Sequence, residues 1–205
     1  MPLLIDDDQT GFIKNRQTQD NIRRALHIIQ QVRQENISSM VLSLDAEKAF
    51  DSFGWEFLYL VMNIFGFSKD FIRCIQALYS SPTTRVKVNG SLSNSIILQR
   101  GCRQGCPASP SLFNLFIEPL AQAIRQEVGL KGISVGSEAY KIGLYADDVL
   151  VTILDPDSGL PVLMRMLEKY GTHSGYVLNV HKTQVLTFNY CPTQDFITRY
   201  HFNWN

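Results

Sequence analysis

The sequence predicts an α+β domain, an antiparallel sheet covered by helices on one face. Three observations lead there. Residues 83–98 and 141–154 each read as a hairpin, two β-prone arms around a polar turn. Two short apolar runs, 40–45 and 184–188, have the length and β-branched content of buried strands. Between them lie longer stretches with apolar residues at three- and four-residue steps, the period of covering helices. Hairpins and helices mixed in this way pack as layers around one core. The 205 residues suffice for one domain with a small appendage, and 45% hydrophobic with 19% charged residues is a globular balance.

In chain order, residues 18–35 read as an amphipathic helix with Ile22, Ala25, Leu26, Ile29 and Val32 on one face and Thr18 as its cap. The strand at 40–45 ends on Asp45. A second helix is expected from Asp51 or Ser52 through Trp55, Leu58, Val61 and Met62 to Gly66. A third runs from Ser68, a good N-cap, to Tyr79. Asn89-Gly90 is the turn of the first hairpin. After a loop at 101–109 rich in Gly, Cys and Pro, Ser109 as N-cap and Pro110 as first helical residue open a long helix, closed by Gly129 or Gly132. The second hairpin sets Asp147-Asp148 between two apolar arms. A helix at 158–173 and strands near 177–180 and 184–188 complete the core.

Composition excludes several classes. Lys plus Arg equals Asp plus Glu at nineteen each, whereas a free-standing nucleic-acid binder is usually more basic. A core that needs buried acids to hold metal ions is compatible with that neutrality. Cys74, Cys102, Cys106 and Cys191 form no ladder of short spacings, and no second Cys or His pair follows Cys102 and Cys106 at zinc spacing; the plain reading is four reduced thiols in an intracellular protein. The acidic start is unlike a signal peptide, and no apolar run approaches the ~20 residues of a membrane span.

Two carboxylate clusters carry the chemistry. Asp45 ends one buried strand, and Asp147 and Asp148 sit at the tip of an apolar hairpin. If those strands are neighbours, the carboxylates share a small space and cannot all stay ionised without a cation between them. Two magnesium ions meet that need, and metals ~3.5–4 Å apart can serve an in-line phosphoryl transfer. Each cluster alone also reads as a solvated turn or a helix cap.

Four motifs, in order, point to a family. Tyr145-Ala-Asp-Asp148 resembles the Tyr-X-Asp-Asp box of reverse transcriptases. Leu44-Asp-Ala-Glu-Lys-Ala-Phe-Asp51 resembles their first carboxylate motif, residues 103–110 (RQGCPASP) their Gln-Gly-X-X-X-Ser-Pro motif, and residues 175–183 (GYVLNVHKT) their later lysine-bearing motif. Residues 9–16 (QTGFIKNR) with Asp20-Asn21-Ile22 resemble the long interspersed element class of non-LTR retrotransposons. The resemblance spans roughly residues 9 to 190.

The resemblance implies a polymerase palm at 37–190, a remnant of the fingers at 1–36 and a short tail at 191–205 with the thumb absent. It implies two Mg²⁺ ions, with Mn²⁺ as a substitute, held by Asp45, Asp147 and the Ala46 carbonyl, with Asp148 beside them as a weaker partner. Phe50 falls at the sugar gate that selects deoxynucleotides. Gln104 and Gly105 fall where the family shapes the nucleotide pocket, and Lys182 where it meets the triphosphate. The residues alone allow plainer readings: Phe50 as core, Gly105 as a loop former, Lys182 as a solvated charge, and Arg85 and Lys87 as a solvated strand face rather than a phosphate contact.

Implied partners are an RNA template, a DNA primer and deoxynucleoside triphosphates. The segments expected before Gln9 and after Tyr190 make the chain read as part of a larger polyprotein with endonuclease and thumb. A ribonucleoprotein moving between cytoplasm and nucleus follows from the same resemblance. Two other readings stand beside it: a catalytically silent truncated copy that at most binds nucleic acid, and an RNA-dependent RNA polymerase, against which Phe50 argues.

Overall fold

A computed structural model describes residues 1–103, 105–136 and 138–204. Helix α1 (Thr18–Glu35) is capped by Gln17 rather than Thr18, and the Gln17 N–H donates to Asp20 Oδ2 at 3.2 Å. Strand β1 (Ser39–Leu44) follows. The single helix expected from Asp51 to Gly66 is two, α2 (Ala49–Ser52) and α3 (Trp55–Ile64). The break has a tertiary cause. Gly101 N–H donates to Phe53 O, and Gly54 N–H donates to Ser174 O, each at 2.9 Å, so distant chain takes groups a continuous helix would pair within itself. Helix α4 (Lys69–Leu78) starts at the expected Ser68 cap, whose Oγ accepts from Phe71 N.

The first hairpin is a ribbon of two-residue strands, β2 (Thr83–Thr84), β3 (Lys87–Val88), β4 (Ser91–Leu92) and β5 (Ile96–Ile97), with Asn89-Gly90 at its tip. Helix α5 (Ser109–Gln126) has Ala108, not Ser109, at its cap. Ser109 Oγ instead donates to Arg103 O at 3.0 Å, which ties down the preceding loop. The helix stops at Glu127, before either glycine, where Lys141 Nζ donates to the terminal carbonyls of Arg125 and Glu127 at 2.8 and 2.7 Å. A short hairpin, β6 (Ile133–Val135) and β7 (Glu138–Tyr140), precedes the second long one, β8 (Ile142–Tyr145) and β9 (Asp148–Leu154). Helix α6 (Pro156–Ser174) begins two residues earlier than expected. Strand β10 (Gln184–Phe188), helix α7 (Gln194–Tyr200) and strand β11 (Asn203–Trp204) finish the chain.

The main sheet runs β11-β10-β1-β9-β8, antiparallel throughout except for the β10–β11 pair. Alternation along β1 assigns its faces. Met40, Leu42 and Leu44 join Val149, Val151 and Ile153 of β9 beneath α3, α5 and α6, where an aromatic cluster of Phe53, Phe57, Phe113, Phe116, Tyr170 and Tyr176 fills the core. Val41 points the other way and meets Ile28 and Val32 of α1, with Ile133 and Phe188, in a small second cluster. Helices thus cover one face, and α1 lies against part of the other. The strand expected at 177–180 reduces to one bridge, Ala46 with Leu178.

Candidate active site

The sheet brings the ends of β1 and β9 side by side. Their register pairs Ser43 with Leu150 and Leu44 with Val149, so the next residue, Asp45, leaves β1 beside Asp148. Beyond β1 the chain is pinned by 177–179: Glu47 N–H donates to Val177 O, and Asn179 N–H to Asp45 O, each at 2.8 Å. The backbone around Asp45 and Ala46 is therefore fixed even though regular pairing has ended. Tyr145 pairs with Asp148, which makes Ala146-Asp147 the two-residue turn. Ala146 is nearly fully buried and adopts a left-handed φ of 56°, a conformation that opposes an L side chain.

The two turn acids face different surroundings. Asp148 lines a cavity of about 240 Å³ between α1 and the open sheet face, with Ser43, Tyr145 and Asn21. Asp147 is half-buried. Burial first, and then the charges of Asp148 and Asp45, raise its carboxyl above the ordinary carboxylate range. Asp45 and Asp147 both also act on Tyr176, whose phenol is pushed up chiefly by burial and then by these two charges. The Tyr176 hydroxyl is buried and finds no hydrogen-bond partner among the described residues. The charges of Asp45 and Asp147 thus both reach the Tyr176 hydroxyl. Among the described residues, no three His, Cys, Asp or Glu side chains converge into a closed cage.

The remaining candidates surround these acids unequally. Phe50, in α2, packs its ring on Phe113 with centroids 4.5 Å apart, and its carbonyl accepts from Cys102 N–H at 2.6 Å. That bond, with Trp55 Nε1 donating to Gly101 O at 2.8 Å, sews the loop after Gly101 to α2 and to the start of α3. Gly105 is exposed with φ 80°, and Gln104 lies outside the described residues. Cys102 is partly buried and its thiol is pushed up to about 12 by burial, which disfavours the thiolate a metal would need. Lys182 is exposed. It lies two residues before Gln184, the partner of Ser43, and so at the same sheet end as Asp45.

Sequence reasoning missed the support beneath the turn. Residues 8–11 lie along β8 as a parallel edge: Leu144 N–H donates to Asp8 O, and Thr10 N–H donates to Leu144 O. Gln9, fully buried, accepts from Ala146 N–H at 2.9 Å and donates to Ala146 O at 3.3 Å. Asp8 in turn is gripped by Arg125, which also holds the buried Glu118 at 2.6 Å. The only sequence signal was the presence of Gln9 in the opening motif.

Comparison with known proteins matches residues 2–200 to the family model described as reverse transcriptase (RNA-dependent DNA polymerase). The chain belongs to the reverse transcriptase family. It is 32% identical over 154 residues to the transposon TX1 uncharacterized 149 kDa protein of Xenopus laevis, covering 74% of this chain and 12% of that one. It is 30% identical over 177 residues to the retrovirus-related Pol polyprotein from type-2 retrotransposable element R2DM of Drosophila melanogaster, covering 86% of this chain and 16% of that one. Both are transposable-element proteins, and the chain spans less than a fifth of the length of each. Among solved structures, the apo telomerase of Candida tropicalis, truncated from its C-terminal domain, superposes with a TM-score of 0.61 at 14% identity, over 86% of this chain and 36% of that one. At that identity the likeness speaks to fold, and it bears out the expected α+β reverse transcriptase architecture. Among the described residues, no helix is long and apolar enough to cross a membrane.

Proposed function

We propose that this chain is the catalytic core of a retrotransposon RNA-directed DNA polymerase, which joins deoxynucleotides to a primer 3′-hydroxyl along an RNA template. The observation that carries the reading is the approach of Asp45 and Asp147, from adjacent strands, to one half-buried space where their charges oppose each other. Hard carboxylate oxygens in such a space suit divalent cations. Asp45, Asp147 and the Ala46 carbonyl would hold two magnesium ions, or manganese in their place, with Asp148 as a weaker partner on the other face. When bound, such ions lower the pKa of the primer hydroxyl and offset charge on the α-phosphate and the departing pyrophosphate.

The chain's own part is positioning. The Phe50 ring, held by Phe113 and by the loop after Gly101, would meet the sugar where a 2′-hydroxyl would sit. Gly105, with the neighbouring Gln104, would shape the nucleotide pocket, and Lys182 would meet the triphosphate and protonate the leaving pyrophosphate. Residues 37–190 would form the palm, 1–36 part of the fingers and 191–205 a short tail. RNA template, DNA primer and deoxynucleoside triphosphates would be its partners, within a larger polyprotein bearing endonuclease and thumb, passing between cytoplasm and nucleus.

Primer extension on an RNA template with magnesium and deoxynucleotides tests this. We expect extension that falls by on the order of 10³-fold or more in Asp147→Ala. No extension from protein shown to be folded would leave a nucleic-acid-binding remnant. A preference for ribonucleotides would point to an RNA polymerase and remove the role given to Phe50.

A further inference from the structure

The turn that carries Asp147 does not hold itself. Its first residue, Ala146, sits at φ 56° with a β-carbon that disfavours that region. A glycine there, as in a common hairpin turn, would accept the conformation freely. What holds Ala146 instead is the Gln9 carboxamide. Its Oε1 accepts from Ala146 N–H at 2.9 Å and from Gly11 N–H at 2.8 Å, and its Nε2 donates to Ala146 O at 3.3 Å. Both ends of the amide are used and the side chain is fully buried, so no water competes for it.

The fit around this contact is built rather than incidental. A β-carbon on Gly11 would lie 2.3 Å from Ala146 N and 2.9 Å from Tyr145 C, so only glycine lets the two backbones approach this closely. Gly11 O is fixed in turn by the buried Asn114, whose Nδ2 donates to it at 2.7 Å. Asn21 Nδ2 donates to Leu144 O from α1 at 2.6 Å. Helices α1 and α5 thus both reach the base of the turn, and Gln9 is the group that reaches its apex.

We propose that Gln9 is a positioning residue for Asp147: by clamping both backbone groups of Ala146, it fixes the left-handed turn that aims the Asp147 carboxylate at the space shared with Asp45. The inference rests on the two-metal reading of that space. Gln9 touches neither substrate nor reacting atoms and acts through the turn.

The test uses the full chain, with Mn²⁺ alone as the probe. Gln9→Met keeps length and apolar stem and removes both hydrogen-bonding ends. Two readouts are taken on folded protein: hydrogen exchange of the Ala146 amide, and Mn²⁺ affinity by calorimetry, with Asp147→Ala defining the part of binding due to that carboxylate. We expect Ala146 exchange to accelerate and the Asp147-dependent affinity to fall, each by about tenfold or more, the range seen when a group orienting a metal ligand is lost. Phe188→Ala, at the opposite end of the sheet, is the control for general loosening and should leave the affinity unchanged. Should Gln9→Met not fold, Gln9→Asn, which keeps a neutral amide but shortens its stem by one methylene so that it falls short of Ala146, is read in the same way with a smaller change.

Asp147-dependent binding that is unaltered in the Gln9 variant overturns the proposal alone. An equal loss in Phe188→Ala also overturns it, since Gln9 would then be only structural. If the unaltered chain shows no Mn²⁺ binding that depends on Asp147, the two-metal reading fails and this proposal with it, whatever the exchange of Ala146.

Discussion

Two hairpins of this molecule turn in two residues each and are supported in opposite ways. The ribbon at 83–98 turns at Asn89-Gly90, both in the left-handed region at φ 48° and 85°, with Val88 paired to Ser91. Its strand residues are exposed on both faces, and a β-carbon on Gly90 would meet nothing within 4 Å. Here the sequence chose residues that want the turn, and little else is required. The hairpin at 142–154 turns at Ala146-Asp147, with Tyr145 paired to Asp148. It places a residue that resists the conformation at the tip and an acid beside two others. Its stability comes from elsewhere: buried arms, the Gln9 amide and the edge segment at 8–11. A turn that gathers like charges gives up local stability and recovers it from the surrounding fold.

The largest effect that could break this comparison lies far from the turn. Arg125 donates to Asp8 and to Glu118, and Glu118 is only 1% exposed. Burial raises both carboxyls despite the guanidinium, so both depend on it to stay ionised. Arg125→Met leaves two acids without their shared guanidinium and releases the edge segment at 8–11 through Asp8. Breaking such a buried pair costs about 3–5 kcal/mol. Thermal denaturation should show a loss on the order of 10 °C for a chain of this size. Exchange at the Leu144 amide, which donates to Asp8 O, should quicken while the 83–98 ribbon stays unchanged. A loss under ~1 kcal/mol would mean that the hairpin at 142–154 supports itself after all.

A matched pair of substitutions sharpens the contrast at the tips. Gly90→Ala places a β-carbon at φ 85° and should cost the ribbon about 1 kcal/mol, with no clash to add to it. Ala146→Gly should cost almost nothing, because relief of a left-handed alanine, roughly 1–2 kcal/mol, offsets the added freedom of the unfolded glycine, roughly 0.5–1 kcal/mol. Exchange of the Ser93 amide, which bonds Val86 O in the ribbon, and of the Ala146-equivalent amide in the other hairpin reads the two effects separately. Equal losses at both tips would erase the distinction.

The same contrast explains what was legible in the sequence. The ribbon, both arms of the second hairpin, β1 and β10 could be read because their signals are local: Asn-Gly, alternation, short β-branched runs. Asp45 and Asp147 were legible as motif residues, and the antiparallel register brings their strand ends together. The helix break at Phe53-Gly54 was not legible, since its cause is backbone bonding to Gly101 and Ser174, 48 and 120 residues away. Strand β11 pairs parallel to β10 through α7, and the three-residue strands β6 and β7 are too short to show a period. Gln9 was visible only as a letter in a motif. A buried amide looks like any surface glutamine until the turn that it clamps is in place.

The smallest effect concerns charge at the turn. The folded state raises the Asp147 carboxyl through burial, Asp148 and Asp45, so it holds a proton more tightly than the unfolded chain does. A group with a raised folded pKa favours folding while protonated and loses that contribution as pH rises through the folded pKa. Without metal, and above its folded pKa, Asp147 therefore weakens the fold. Asp147→Asn keeps the shape and carries no charge, so in chelator at pH 7 it should melt higher than the unaltered chain, on the order of 2 °C. The gap should narrow as pH falls through the folded Asp147 pKa and close below the ordinary carboxylate range. Added Mg²⁺ should raise the unaltered chain and leave the variant where it was, reversing or cancelling the order. Melting curves from neutral pH down to below the ordinary carboxylate range, with chelator and with magnesium, decide it. A variant that melts lower in chelator at every pH would mean that the Asp147 charge is already compensated within the protein, and the turn at Ala146-Asp147 would then be strained in its backbone alone.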